Sequence, residues 1–316
     1  MKNIKIIDGD TVRKILTMKL AIPAMKCAFR IISEGAAIVP ERYRLKLPDS
    51  DGGSLTMPVY IPELKMMGTK VISIFPDNSL NNLPVVQAVM LIVDAENGTP
   101  IALMDGAELT AIRTGAASGI ATEMLALPDA NCVAIFGAGI QGRAQLEAIC
   151  TVRPISRALI YDSNRNSALE FKHEMSEKLN INIEIGHFDI LNEAQIICTA
   201  TSSKDPVFQH AQLAPGTHIN AIGSYKPEVQ EIPAETIQHS RIYVDKFSSV
   251  LEQTGDLIIP IKKDLFNSDE IIGELGDLIM GKLIGRESED DITLFKSVGN
   301  AVQDLVAASV VLRNLE

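Results

Sequence analysis

A glycine-rich turn between an apolar run and a helical pattern constrains the fold more than any other feature. The run Cys132–Phe136 leads into a GxGxxG spacing at residues 137–142, and a helical pattern covers residues 141–152. In such a turn the first glycine permits a tight bend, the second lets the backbone approach a pyrophosphate, and the third lets helix and strand pack closely. The turn predicts a dinucleotide-binding unit. Its cofactor-binding residues would be Gly137, Ala138, Gly139, Ile140, Gln141 and Gly142.

Short apolar runs continue to alternate with helical patterns after this turn. This alternation is typical of successive βα units and therefore of a parallel sheet. It predicts an α/β fold with a Rossmann doubly wound sheet. It also predicts a helix over residues 165–179, which follows turn-forming and capping residues at 162–164. The predicted strands are residues 132–136, 158–161, 183–185, 195–199, 217–222 and 241–244.

Asp162 ends the second predicted strand, 162 − 142 = 20 residues after the last glycine of the turn. A carboxylate there accepts hydrogen bonds from the adenosine ribose and repels a 2′-phosphate, which favours NAD over NADP. Arg165 is only three residues away and its positive charge can bind that phosphate, so NADP is the alternative cofactor. Asp162 could also cap the following helix.

The first 130 residues form a different pattern, typical of a second, α+β domain. Pro23 is expected to begin a helix that reaches Gly35, and a further helix runs from Glu108 to about Leu127. Five strands separated by hairpin turns lie between them, at residues 42–47, 55–61, 69–75, 87–94 and 100–104. The amphipathic pattern of residues 299–315 predicts a last helix that packs back on this domain. The predicted domains are residues 1–125 with 295–316, for substrate binding and dimerisation, and residues 126–294, for dinucleotide binding.

Charge and composition exclude several classes of function. The chain has 316 residues with 40 Asp and Glu against 29 Lys and Arg, a formal net charge of −11, which disfavours nucleic acid as a partner. No apolar run reaches the roughly 20 residues of a membrane span, and residues 1–10 are too polar for a signal peptide, so we expect a cytoplasmic protein. The four cysteines and five histidines show no metal-ligand spacing, so no metal site is predicted.

Four cations of the first domain, Arg42, Arg44, Lys70 and Arg113, lie at the edges of apolar segments in this acidic chain, and Arg44 is the alternative to Arg42. Lys70 interrupts an apolar strand, and a buried lysine needs a partner or a lowered pKa. Arg113 begins a segment rich in small residues, where an arginine can bind a carboxylate through two N–H groups. The alternatives are an edge lysine that discourages strand pairing, and a surface salt bridge of Arg113 with Glu108 or Asp105. Arg42 lies at the start of another predicted strand.

Several motifs together resemble the ornithine cyclodeaminase/mu-crystallin family, and the resemblance runs nearly end to end. They are Thr56-Met57-Pro58, Gly68-Thr69-Lys70-Val71-Ile72-Ser73 with Pro76-Asp77-Asn78, Arg113-Thr114-Gly115-Ala116, the glycine turn, Gly223-Ser224-Tyr225-Lys226-Pro227 and Phe295-Lys296-Ser297-Val298-Gly299.

The resemblance implies a homodimer with a nicotinamide cofactor and a small imino or amino acid substrate. It implies that Arg42, Lys70 and Arg113 bind the substrate carboxylate, and that Thr114, Ser297 and Gly299 join the glycine turn and Asp162 in binding the cofactor. The family includes ornithine cyclodeaminases, an alanine dehydrogenase, imine reductases, and mu-crystallin, which also binds thyroid hormone.

Two departures from the family pattern guide the choice among these activities. Cyclodeaminases resemble one another in an acid at the position of Thr56, and both they and the alanine dehydrogenase have an aspartate that aligns with Tyr225. A cyclic imine has no free ammonium to deprotonate and needs such acids less. We therefore expect an NAD(P)H-dependent reductase of a small cyclic α-imino acid of the Δ1-pyrroline-2-carboxylate type, with Lys70 as the catalytic residue. The alternatives are an ornithine cyclodeaminase, an alanine-dehydrogenase-like enzyme, and a cofactor-gated small-ligand binding protein.

Overall fold

The structure, a computed structural model, describes residues 4–81 and 83–315 and divides into two compact units. The first unit contains the chain up to Arg113 and again from Asn300, and the second is Thr114–Gly299. The strands and helices of the first unit are β1 Lys5–Ile7, α1 Gly9–Ile15, α2 Met18–Ser33, β2 Tyr43–Lys46, β3 Gly53–Ile61, β4 Met66–Ile74, β5 Val86–Asp94, β6 Pro100–Asp105, the first part of α3 Gly106–Leu125, and α10 Ala301–Arg313. Those of the second are β7 Cys132–Phe136, α4 Ile140–Val152, β8 Arg157–Tyr161, α5 Arg165–Leu179, β9 Asn182–Ile185, β10 Ile196–Thr199, β11 His218–Ala221, α6 Ala234–Gln238, β12 Ser240–Val244, α7 Phe247–Gln253, α8 Gly255–Lys262, β13 Gly273–Glu274, α9 Leu275–Ile279 and β14 Ile292–Lys296.

A six-stranded sheet with the order β1-β6-β5-β4-β3-β2 forms the centre of the first unit. Strands β2 to β6 pair antiparallel, as the hairpin turns predicted, and β1, which was not predicted, pairs parallel with β6. Helices α2 and α10 pack together, and α10 also lies on β3, β4 and β5. One face of the sheet is therefore covered within the unit, and this face carries Met57, Lys70 and Met90 opposite one another.

The prediction that Pro23 begins a helix is wrong. Helix α2 begins at Met18 after Thr17, and Pro23 lies inside it. Proline in a helix interior removes one backbone hydrogen bond, but nine of the helix's residues are buried and it packs along α10. Tertiary packing thus offsets the local cost of the proline.

The second unit contains an eight-stranded parallel sheet with the order β13-β12-β14-β11-β10-β7-β8-β9. All six predicted strands are present, and the α/β doubly wound class is confirmed. Alternate residues of β7 belong to two different apolar clusters, so the sheet is buried on both faces. The strand order reverses between β7 and β10, the place where such sheets bind ligands at the carboxyl ends of their strands.

The sequence did not predict β13 and β14. Strand β14 pairs with both β11 and β12 and so belongs to the interior of the sheet. The domain boundary predicted from the sequence, between residues 294 and 295, falls inside β14. In the structure the two units divide between residues 299 and 300. The other division falls within α3, at 113/114 instead of 125/126. In the part of the chain that the structure describes, no helix combines the length and apolar character needed to cross a membrane.

Candidate functional site

Lys70 lies in the middle of β4 and is completely buried. Its neighbours across the sheet are Met57 on β3 and Met90 on β5, both apolar. Two residues earlier on the same face, Gly68 leaves room for α10, since a Cβ at Gly68 would lie 3.0 Å from the Leu305 side chain. The β4 backbone and α10 can therefore approach closely, and Lys70 reaches side chains of that helix.

A single carboxylate of α10 binds both Lys70 and Arg113. Lys70 Nζ lies 2.6 Å from Asp304 Oδ2, and Arg113 Nε donates to Asp304 Oδ1 at 2.9 Å. Lys70 Nζ also donates to Thr110 Oγ1 at 3.0 Å, one turn before Arg113 on α3. Lys70 and Asp304 are fully buried and Arg113 is 5% exposed, so solvent screens these interactions little.

Gln303 fixes the second arm of Arg113. Its Oε1 accepts hydrogen bonds from Arg113 Nη1 and from the Asn300 backbone N–H, both at 3.0 Å. Asn300 is the N-cap of α10 and forms a capping box with Gln303. The start of the helix thus sets the position of the arginine. Arg113 is buried and pairs with Asp304, whereas Glu108 pairs with Arg13 and Asp105 accepts a hydrogen bond from the Glu108 N–H, so the alternative of a surface salt bridge with Glu108 or Asp105 is wrong.

Burial lowers the pKa of the Lys70 ammonium to about 8. The charges of Arg113 and Arg42 also lower this pKa and Asp304 raises it through its charge and its hydrogen bond, so the value of about 8 is the net result with burial as the largest effect. Arg42, half-buried immediately before β2, is therefore close enough to act on Lys70 electrostatically. Of the four cations that the sequence singled out, Lys70 and Arg113 share one carboxylate and Arg42 acts on Lys70, whereas Arg44 is exposed on β2. An amine with the pKa of Lys70 can exchange protons near neutral pH.

The acid at the centre of this cluster was not found from the sequence. Asp304 is the single charged residue between positions 299 and 312, within the run that forms α10. The periodicity of the apolar residues predicted a helix with one polar face, but α10 is buried on nearly all sides. A lone acid in a helix of apolar residues was the available signal, because a buried charge requires a partner.

The glycine turn has the geometry its spacing predicts. Gly137 has φ +102°, and a Cβ there would lie 2.4 Å from the Ala200 carbonyl oxygen. A Cβ on Gly142 would lie 2.0 Å from the Gly137 carbonyl oxygen, whereas one on Gly139 would meet nothing within 4 Å. Gly139 is the N-cap of α4 and has no side chain to cap it, so the first N–H groups of the helix can bind an anion.

Asp162 is joined to this turn directly. Its Oδ2 accepts a hydrogen bond from the Ala138 N–H at 2.7 Å, and its Oδ1 accepts from the Asn164 N–H at 2.7 Å. Asn164, rather than Asp162, caps helix α5. The carboxylate therefore lies beside the second strand's end and the glycine turn together.

A cavity of about 840 Å³ lies next to the turn within the second unit. Gly137, Gly139, Asp162 and Ser163 line one part of it. Phe136 and Tyr161 stack with ring centroids 4.4 Å apart and contribute an apolar wall. The size and lining suit the adenosine half of a dinucleotide, with the ribose near Asp162 and a phosphate near Gly139.

Two buried acids order the loops after the other strands of the sheet. Asp245 Oδ2 accepts hydrogen bonds from Ser297 Oγ at 2.8 Å and from the Gly299 N–H at 2.7 Å. Glu231 accepts from the Thr201 N–H at 2.7 Å and from the Ser224 N–H at 3.0 Å. Burial raises the pKa of Glu231. Neither acid was found from the sequence, because each binds loops that are distant along the chain.

Three other predicted positions have definite places in the structure. Thr114 is buried on α3. Thr56 pairs with Val71, so it lies on the opposite face of the sheet from Lys70. Tyr225 is 40% exposed, with Lys226 Nζ 5.7 Å from its ring centroid. Across residues 4–81 and 83–315, no cluster of three or more His, Cys, Asp or Glu side chains is placed to hold a metal.

Comparison with known proteins agrees with these features. The sequence profile of the ornithine cyclodeaminase/mu-crystallin family matches residues 5–316. The chain is 35% identical over 306 residues to a Δ1-pyrroline-2-carboxylate reductase of Bacillus cereus, covering 96% of this chain and 94% of that protein.

Solved structures show the same similarity. The Δ1-pyrroline-2-carboxylate reductase of Thermococcus litoralis, in complex with NADH and L-proline, superposes with a TM-score of 0.95 at 37% identity, covering 98% and 97% of the two chains. An archaeal alanine dehydrogenase dimer with bound NAD gives 0.92 at 31% identity, covering 98% and 95%. With a profile match over nearly the whole sequence and relatives above 30% identity, the chain belongs to the ornithine cyclodeaminase/mu-crystallin family.

Proposed function

We propose that the chain is an NAD(P)H-dependent reductase that converts a small cyclic α-imino acid of the Δ1-pyrroline-2-carboxylate type to the L-amino acid. The observation that carries the proposal is the buried group of Lys70, Arg113 and Asp304, with Arg42 close by. Such a group binds a carboxylate and offers a proton. The similarity to two Δ1-pyrroline-2-carboxylate reductases supports the same substrate class.

In this proposal the cations bind and orient the substrate. Arg113 uses Nε and Nη1 within the protein, and among the described residues no partner is recorded for its Nη2, which can donate to the substrate carboxylate. Arg42 supplies a second guanidinium. Binding the carboxylate in one orientation fixes the C=N carbon for reaction, and positioning of this kind lowers the activation barrier strongly.

Lys70 acts as the general acid. Its ammonium donates a proton to the imine nitrogen while the carbon is reduced, and solvent then returns a proton to the neutral amine. A pKa near 8 keeps most of Lys70 protonated at neutral pH and still makes it a competent donor. NADH, when bound, supplies the hydride that the carbon receives.

The second unit is proposed to bind NAD, with NADP possible. Gly139 leaves open space at the N-terminus of α4, and the adjacent cavity has room for the adenosine half of a dinucleotide. The residues present therefore fit NAD. The proposed ligands are Thr114, Gly137, Ala138, Gly139, Ile140, Gln141, Gly142, Asp162, Ser297 and Gly299.

Homodimer assembly through the first unit belongs to the same proposal. The face of the six-stranded sheet opposite Lys70 carries Tyr43, Leu45 and Val89, which are 68%, 51% and 39% exposed. Exposed apolar side chains on one face are typical of a protein interface. The four cysteines are free and show no disulfide-like spacing, which fits a reducing compartment, so we infer a cytoplasmic location.

The test is a substrate panel followed by NADH absorbance, with both NADH and NADPH. We expect Δ1-pyrroline-2-carboxylate to oxidise NADH and yield L-proline, and pyruvate with ammonia to react far more slowly. L-Ornithine with NAD+ is expected to yield neither proline nor ammonia. Proline and ammonia formed together from ornithine, without net NADH, would make the chain a cyclodeaminase instead.

A further inference from the structure

The ion-pair group around Asp304 is one negative charge short. Asp304 is the carboxylate that pairs with both Lys70 and Arg113, and no second carboxylate within ion-pair distance of either cation is recorded in the described part of the chain. One positive charge is therefore left uncompensated in a nearly solvent-free place, which is unfavourable unless a ligand supplies an anion. The substrate carboxylate of the proposed function provides it.

We propose that Asp304 is a positioning residue for the reduction, which holds Lys70 and Arg113 in place for the substrate and keeps the Lys70 amine protonated. The inference rests on the proposed function and deepens it. Asp304 is not a catalytic residue in this account, because it acts through Lys70 and Arg113.

The geometry supports this role because both carboxylate oxygens are used. Oδ1 binds the arginine and Oδ2 the lysine, so one rigid group on α10 sets the distance between two cations that come from β4 and α3. Each cation also has a second hydrogen bond, from Lys70 to Thr110 on α3 and from Arg113 to Gln303 on α10. Each cation thus has two fixed contacts and cannot turn away from the other.

Asp304 also opposes the effects that favour neutral Lys70. Burial and the charges of Arg113 and Arg42 lower the pKa of Lys70, and Asp304 raises it. From the elements packed around Lys70, the facing groups are Asp304 on α10, Arg113 and Thr110 on α3, Arg42 before β2, and the uncharged Met57 and Met90 on the flanking strands. Without the carboxylate, the charged groups that remain near Lys70, Arg113 and Arg42, both disfavour the ammonium.

The variant Asp304→Asn keeps the shape and removes the charge. Since activity needs the ammonium form, kcat/KM falls as pH rises through the pKa of Lys70 in the free enzyme. Losing a contacting opposite charge lowers that pKa, so we expect the alkaline limb to move about 1 pH unit or more toward acid. An alkaline limb unmoved within error would overturn the proposal.

A binding measurement gives a readout that does not depend on turnover. Pyrrole-2-carboxylate, a planar ring carboxylate that is not an imine, is titrated by calorimetry between pH 6 and 10 into both proteins. We expect its affinity to fall with rising pH in the wild type, and to fall at lower pH in Asp304→Asn. Identical pH dependence in the two proteins contradicts the role given to Asp304.

Two further variants separate the effect of the Asp304 charge from a general loss of stability. Asp304→Glu keeps the charge and is expected to restore the alkaline limb to near its wild-type position. Asp256→Asn is the matched control, because Asp256 also forms a fully buried pair, with its carboxylate 2.8 Å from Lys296 Nζ. Asp256→Asn should lower thermal stability without moving the alkaline limb of kcat/KM. A shift of the alkaline limb as large as that in Asp304→Asn would contradict the specific role of Asp304.

These measurements test the role of Asp304 separately from the proposed reduction of a cyclic imine. A wild type that binds pyrrole-2-carboxylate but never oxidises NADH with the cyclic imine refutes the function, while the binding titration still tests Asp304. If Asp304→Asn does not fold, the double variant Lys70→Met/Asp304→Asn tests whether the uncompensated charge of Lys70 is the cause. A folded double variant shows that Asp304 compensates Lys70, and an unfolded one overturns the proposal.

Discussion

At the level of single residues, Lys70 is the proposed proton donor of the reduction. Lys70→Met removes the proton donor and should lower kcat by about a hundredfold or more, the usual range for a lost acid. Steady-state kinetics of the variant, with thermal unfolding to verify the fold, checks this. If KM rises and kcat is intact, Lys70 only binds the carboxylate.

The sequence predicted the cations of the site better than the acid that organises them. Lys70 and Arg113 were found because a charge within an apolar strand, or beside small residues, requires an explanation that local sequence can suggest. Asp304 lies 191 positions from Arg113, and only the folded unit shows that the two are partners. Long-range pairing of this kind leaves almost no local pattern.

Asp162 is expected to determine the choice of cofactor. Its carboxylate, fixed by the Ala138 and Asn164 N–H groups, favours a free ribose hydroxyl and repels a 2′-phosphate. Asp162→Ala should narrow or reverse the preference for NADH over NADPH, measured as the ratio of kcat/KM values. A wild type that prefers NADPH tenfold, about 1.4 kcal/mol, would refute this role.

At the scale of elements, the β7–turn–α4 unit allows two roles of glycine to be separated. Gly139→Ala meets no atom within 4 Å, so the protein should fold normally but lose about tenfold or more in NADH affinity, because the methyl group occupies space needed by a phosphate. Titration of NADH by its own fluorescence is convenient because the chain has no Trp.

Gly142→Ala is the matched variant in the same turn. Its methyl group would lie 2.0 Å from the Gly137 carbonyl oxygen, so it should lower both NADH affinity and stability, the latter by about 1–3 kcal/mol. Thermal unfolding compares the two variants. Equal loss of stability in both would show that Gly139 serves the fold and not the ligand.

Elements with a local start signal were predicted well, and elements defined by their neighbours were not. Helix α5 has the predicted bounds, because Asn164 caps it and the apolar periodicity is regular. Strand β14 was missed because it directly follows a polar, acidic segment and contains Thr293 and Lys296 among its apolar residues. Its place between β11 and β12 comes from pairing across the sheet, which sequence periodicity does not contain.

At the scale of the whole molecule, the exposed face of the first sheet is expected to join two copies of the chain. Val89→Glu places a charge on that face and should convert a dimer to a monomer, as measured by analytical ultracentrifugation. Leu169→Glu is the matched control, because Leu169 is similarly exposed, at 46%, on α5 of the second unit. A wild type that sediments as a monomer, or dissociation in both variants, would contradict this interface.

Isotope labelling shows whether the hydride of NADH reaches the imine carbon on this protein. NADH carrying deuterium at C4, in the transferable position, is incubated with Δ1-pyrroline-2-carboxylate and the wild-type protein, and the product is analysed by mass spectrometry and NMR. We expect L-proline with one deuterium at Cα for each NADH oxidised. Unlabelled proline, or no proline while the cofactor is bound, would contradict direct reduction of the imine carbon by this protein.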